Sequence, residues 1–129
     1  MGDAPTKDDS IAKEDRMARA LMLVASNSND AHRIGEFNDW YSLHIQELLQ
    51  VEGIISATRW QASPHQLLPD GIGIEGRPFL ALYEIECDDV EAVRDRVRDS
   101  SNDRTHSDLL ELEPLPITLF FEHVGEWKA

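Results

Sequence analysis

The sequence predicts a single α+β domain in which four β-strands and two helices follow one another in the order β-α-β-β-α-β. A chain of 129 residues is long enough for one hydrophobic core and too short for two domains of ordinary size. Two segments have the apolar spacing of amphipathic helices, and four short segments have the apolar, β-branched or aromatic character of strands. These observations together favour a mixed sheet-and-helix domain.

The first half of the chain contains a tail, a strand and a helix. Residues 1–17 are rich in charge and poor in apolar side chains, so we expect a disordered acidic tail before a folded domain at residues 18–129. Residues 19–26 form a continuous apolar run, which is typical of a buried strand. Residues 31–51 place apolar side chains at helical spacing, and Gly53 ends that helix.

The second half supplies three strands and one helix. We expect strands at residues 54–61, 79–87 and 117–124, and a helix capped by Asp88-Asp89 that runs to about residue 101. Residues 102–114 are polar and irregular. Residues 63–78 form a long loop with three prolines and three glycines, and its role as a binding loop or a plain connector stays open.

This order of elements is that of the ferredoxin-like fold, an antiparallel four-stranded sheet with both helices on one face. The second face is left uncovered. An apolar sheet face does not stay in water, so we expect a homodimer, a dimeric α/β barrel, in which a second copy covers it. The side chains considered for the uncovered face are Met22, Val24, Ile54, Tyr83 and Phe121.

The composition argues against several classes of function. A formal net charge of −13 opposes binding to nucleic acid or to an anionic membrane. No apolar run is long enough to span a bilayer, and the acidic amino terminus does not resemble a secretory signal, so we expect a cytoplasmic protein. Cys87 is the only cysteine, which excludes an internal disulfide and a multi-thiolate zinc site.

Three stretches resemble the EthD-like branch of the dimeric α/β-barrel superfamily, and the likeness runs from about residue 20 to 125. They are Glu36-Phe-Asn-Asp-Trp-Tyr-Ser-Leu-His-Ile-Gln-Glu47, Gly53-Ile-Ile-Ser-Ala-Thr-Arg-Trp60 and Arg77-Pro-Phe-Leu-Ala-Leu-Tyr-Glu84. The resemblance implies the fold predicted above. It does not fix the reaction, because the superfamily includes dehydratases, cyclases, decarboxylases, isomerases, metal-free monooxygenases and haem-handling proteins.

His44 and Tyr41 are the candidate catalytic residues. His44 lies on the apolar face of the first helix, and imidazole is the side chain best suited to acid–base work near neutral pH. Tyr41 lies one turn earlier and its hydroxyl can reach the same cleft. The alternative for both is a structural role, as a hydrogen-bonded core histidine and a core aromatic.

Five further residues are candidates for substrate binding. Glu47 would orient the His44 imidazole, or else it is an ordinary surface carboxylate. Arg59 and Trp60 are adjacent on a strand and so point to opposite faces; Arg59 suits an anionic oxygen, or else pairs with surface acids. The remaining candidates are Trp40, beside His44, and His123, a possible second acid–base group.

The leading prediction is therefore a cofactor-independent lyase or isomerase that acts on a small apolar or aromatic metabolite bearing a carbonyl or hydroxyl group. His44 and Glu47 at helical spacing without a third ligand do not predict a metal site. A cofactor-free or haem-related monooxygenase is a rival prediction. The sequence is also compatible with a non-catalytic dimeric module that binds a hydrophobic small molecule, and with a structural or regulatory dimer in which His44 is a core residue.

Overall fold

The computed structural model describes residues 17–68 and 73–129, and its elements follow the predicted order. They are β1 (Ala18–Ser26), α1 (Ile34–Leu48), β2 (Ile54–Gln61), β3 (Phe79–Cys87), α2 (Val90–Asp99) and β4 (Ile117–Glu122). Both helices are shorter than the sequence predicts, and a single 3-10 turn at Ala31–Arg33 precedes α1. Residues 1–16 of the expected tail lie outside the described residues.

The four strands form one sheet in the order β2-β3-β1-β4, and all neighbours are antiparallel. Two strands that are adjacent in the sheet, β1 and β3, are separated in sequence by α1 and β2, and β4 returns to the free edge of β1. The predicted α+β ferredoxin-like fold is thus confirmed. Within the described residues, no helix is long and apolar enough to cross a membrane.

The hydrophobic core lies between the helices and one face of the sheet. From α1 it contains Phe37, Tyr41 and Leu48, and from α2 it contains Val93. Gly53 joins α1 to β2 with a φ of +105°, and a Cβ at this position would meet Val93 Cγ2 at 2.7 Å. Only glycine fits this conformation and this close approach without strain.

The second face of the sheet carries exposed apolar side chains, but the prediction of which side chains lie there is mostly wrong. Four of the expected side chains, Met22, Val24, Ile54 and Tyr83, face the helices, and only Phe121 is on the uncovered face. Side chains alternate between faces, so an error of one residue in register moves a whole strand to the other face. The exposed apolar side chains observed there include Leu21, Ile55, Trp60, Leu119 and Phe121.

Residues 100–116, which we call the α2–β4 segment, are irregular as predicted, but they are packed closely beside α1. Leu109 is buried, and its carbonyl accepts a hydrogen bond from the Asn29 N–H at 2.7 Å. The Glu111 N–H donates to the Asn27 carbonyl at 2.9 Å. These bonds hold the segment against the loop after β1, where it completes one wall of a pocket.

Candidate active site

A small pocket lies between α1, β1 and the α2–β4 segment, and His44 and Tyr41 both line it. Its volume is about 180 Å³. The lining is mainly apolar and includes Met22, Val24, Leu48, Val97, Leu110 and Pro116. A small apolar pocket with a few polar groups is the usual form of a site for a small organic ligand.

The His44 imidazole is held between two aromatic rings of its own helix. It stacks on Trp40 with ring centroids 4.9 Å apart, and it meets the edge of Tyr41 at 5.4 Å. Its Nδ1 is buried and has no hydrogen-bond partner among the described residues. Burial, reinforced by the positive charge of Arg104, lowers the pKa of His44 to about 4, so the ring is neutral at physiological pH.

Tyr41 is a protonated phenol in this site. Burial raises its pKa, and this effect outweighs the opposing influence of the Ser26 hydroxyl, the Arg59 charge and the Tyr83 hydroxyl. The Ser26 and Tyr83 hydroxyls are themselves buried and make no hydrogen bond of good geometry within the described chain. Tyr41 therefore does not ionise near neutral pH.

Glu47 and Trp40 hold the α2–β4 segment in place. The Glu47 carboxylate accepts hydrogen bonds from the Thr105 N–H at 2.9 Å and from the Thr105 hydroxyl at 2.8 Å. The Trp40 indole N–H donates to the Thr105 carbonyl at 3.0 Å. The hydrogen bonds from Thr105 lower the pKa of Glu47, and this carboxylate affects His44 only through its charge.

Arg59 lies behind Tyr41 and does not line the pocket. Its guanidinium carbon is 4.3 Å from the Tyr41 ring centroid, and Nη1 donates to Asn38 Oδ1 at 2.8 Å. Its Nε and Nη2 are buried without a partner among the described residues. Arg59 is therefore on the helix side of β2, where it stacks on the phenol ring as a cation.

Trp60 and His123 are not brought to this pocket. Trp60 points to the uncovered face, is 57% exposed and donates to the Thr58 hydroxyl at 2.9 Å. His123 follows β4, where its N–H donates to the Arg19 carbonyl at 2.8 Å and its side chain lines a separate cleft of about 230 Å³. This cleft is larger than the His44 pocket, but it lies on the uncovered face with several carboxylates around it.

Arg104 is the site residue that the sequence prediction omits. It belongs to the α2–β4 segment, lines the same pocket as His44, and is anchored to the end of α2. No periodicity or spacing in the sequence marks a residue of an irregular segment as part of a site. Among the described residues, no group of three or more His, Cys, Asp or Glu side chains is arranged to hold a metal ion.

Comparison with known proteins identifies the fold. The sequence matches no protein-family model and none of the curated proteins. The structure is similar to the crystal structure of an ethyl tert-butyl ether D (EthD) family protein from Bacillus halodurans C-125, with a TM-score of 0.51 and 15% sequence identity. The match covers 84% of this chain and 100% of that chain. The resemblance that the sequence suggests is thus confirmed at the level of the fold, which is EthD-like.

Proposed function

We propose that this protein is a cofactor-independent enzyme of the lyase or isomerase class that acts on a small aromatic or apolar carbonyl compound. The observation that carries the proposal is the unpartnered Nδ1 of a neutral His44 in an apolar pocket. A buried polar atom without a partner is costly, and such atoms are concentrated at sites where a ligand supplies the missing hydrogen bond.

The chemistry assigned to the two residues is enolisation. The neutral imidazole of His44 takes a proton from the carbon next to the carbonyl, and the electrons of the C–H bond form a C=C bond while those of the C=O bond move to oxygen. The Tyr41 hydroxyl donates a hydrogen bond to that oxygen as its charge develops. Return of the proton to another atom completes an isomerisation, and loss of a leaving group completes a lyase reaction.

Hydrogen exchange gives a direct test that does not require the natural substrate. A panel of single-ring aryl ketones and aryl 2-oxo acids is incubated in D₂O, and loss of the α-proton signal is followed by proton NMR. We expect exchange with at least one compound, and a loss of about 10²-fold or more in His44→Ala. His65→Ala, in an exposed loop, is the matched control. Equal exchange rates in His44→Ala and in the unaltered protein would refute the mechanism.

A non-catalytic binding module is the second candidate, and the low pKa of His44 favours it. An imidazole with a pKa of about 4 is a weaker base than one that titrates near neutrality. On this alternative, ligands from the same panel bind in the pocket, His44→Ala weakens their binding, and no α-proton is exchanged. A haem-related function is disfavoured because a pocket of about 180 Å³ is well below the size of typical drug-sized sites.

We also propose that the protein is a homodimer formed through the uncovered face of the sheet. Leu21, Leu119 and Phe121 are adjacent on β1 and β4 and all are exposed. A charge introduced there, as in Leu119→Glu, would then disrupt the dimer. Leu43→Glu is the control, because Leu43 is similarly exposed on the solvent side of α1. A monomeric unaltered protein in sedimentation measurements would disprove this assembly.

A further inference from the structure

We propose that the ligand of the His44 pocket is an anion, and that Arg104 is the residue that selects it. The inference rests on the proposed function for the location of the site, and it adds the class of substrate. The expected ligand is a single aromatic or apolar ring that carries a carboxylate or forms an enolate, with its charge directed toward the Arg104 guanidinium.

The Arg104 guanidinium is anchored but mostly unused. Its Nη1 donates to the Ser100 hydroxyl at 2.7 Å, and its Nη2 donates to the Val97 carbonyl at 3.1 Å. An arginine has five N–H donors in a rigid plane, so these two bonds fix the group and leave the other donors available. No carboxylate of the described chain lies within ion-pair distance of it.

A second guanidinium lies close to the pocket without lining it. Arg59 lies directly behind the Tyr41 ring, and two of its buried nitrogens have no partner in the described chain. The acids whose charges act on Arg104 are Glu47, which is half-buried and accepts hydrogen bonds from the Thr105 N–H and hydroxyl, and Asp103, which is exposed. Neither acid lines the His44 pocket, and neither is within ion-pair distance of the Arg104 guanidinium.

The charge of the pocket is opposite to that of the protein. The chain carries a formal net charge of −13, yet Arg104 is the charged residue among those that line the pocket beside His44. The acidic composition of the chain does not by itself predict a pocket whose charged lining residue is an arginine. It is the arrangement expected where an anion must be recognised in an apolar surrounding.

The remaining lining limits the size and shape of the anion. A volume of about 180 Å³ with Leu48, Val97 and Leu110 on its walls accommodates one ring and a short acidic arm. Trp40, which stacks on His44, also lines the pocket. An anion held by Arg104 would therefore lie within reach of both His44 and Tyr41, which line the same pocket.

The test compares phenylacetate with its neutral isostere phenylacetamide in an NMR titration of the full chain. We expect phenylacetate to bind about tenfold tighter or more, which is the effect of a charge-assisted hydrogen bond. This preference should disappear in Arg104→Gln. The control is Arg98→Gln, which removes the same charge from an exposed position on α2. Arg104→Lys keeps the charge without the planar fork and should retain part of the preference.

The outcomes separate this inference from the proposed function. The inference is overturned if phenylacetamide binds as tightly as phenylacetate, if phenylacetate does not bind at millimolar concentration, or if Arg104→Gln keeps the preference. If Arg104→Gln fails to fold, Arg104→Lys provides the test. An unchanged affinity for phenylacetate and an unchanged preference over phenylacetamide in this variant would refute recognition by the guanidinium fork. Anion selectivity without any α-proton exchange would support the anion site and refute the enzyme. Exchange of the α-proton without anion selectivity would support the enzyme and refute the anion site.

Discussion

Replacing His44 by glutamine should remove an acid-dependent loss of stability from this protein. The pKa of His44 falls from 6.5 to about 4 on folding. Between these pH values the unfolded chain therefore binds a proton that the folded chain does not, and the free energy of unfolding decreases as the pH falls through this window. Above pH 6.5 the imidazole is neutral in both states, and its contribution to stability is fully present.

The magnitude follows from the size of the pKa change and the exposure of the ring. Each pKa unit corresponds to about 1.4 kcal/mol, so a change from 6.5 to about 4 sets an upper limit of about 3.5 kcal/mol. Solvent reaches part of the imidazole and screens its interactions, which reduces the expected value to about 1.5 kcal/mol. This is a measurable share of the stability of a small domain.

Urea unfolding at about pH 7 and about pH 4.5 measures this contribution. Wild type and the control His65→Gln should lose about 1.5 kcal/mol more between the two pH values than His44→Gln does. Carboxylates that titrate in the same range are common to all three proteins and cancel in the comparison. If all three proteins lost the same free energy of unfolding between the two pH values, burial would not lower the pKa of His44, and the predicted acid-dependent loss would be refuted.

Two other substitutions and one control test the packing of the fold and of the site. Gly53→Ala should destabilise the fold by about 1–3 kcal/mol in urea unfolding, because Gly53 has a positive φ and the Val93 side chain lies close to it. The control is Gly35→Ala in the first turn of α1, where a Cβ meets nothing within 4 Å. This control should be neutral or stabilising. Glu47→Ala should raise the hydrogen-exchange rate of the Thr105 amide by about tenfold, since this N–H then loses its acceptor. An unchanged rate would show that Glu47 does not hold the segment.

The fold could be predicted because local patterns and global structure agree. The strand at Phe79–Cys87 alternates between buried and less buried positions, and Phe37, Tyr41 and Leu48 are buried at helical spacing. The sheet face of Ile54 was not predictable in this way. Ile54 and Ser56 flank an irregularity in the pairing of β2 with β3, and such a shift is not visible in a single sequence.

The candidate site, like the fold, could be predicted only in part. His44 and Tyr41 share one helix, so their mutual position follows from helical geometry, and the structure places both on the same pocket. Arg104 reaches that pocket from an irregular segment about sixty residues later in the chain. The neighbouring Thr105 is held against α1 because its N–H donates to Glu47 and its carbonyl accepts from Trp40, which no local rule predicts. Glu47 thus contributes to the site by holding a neighbouring segment.

The positive charge of Arg104 contributes both to the low pKa of His44 and to the proposed anion preference, which leads to a final prediction. In the empty pocket the positive charge of Arg104 disfavours protonation of His44, in addition to the larger effect of burial. A bound anion would offset that charge, so the imidazole should become a stronger base when the pocket is filled. Phenylmethanesulfonate, which stays ionised in acid, should raise the pKa of His44 by about one unit in an NMR titration of its ring. An unchanged pKa with the sulfonate bound would show that Arg104 and His44 do not act on the same ligand.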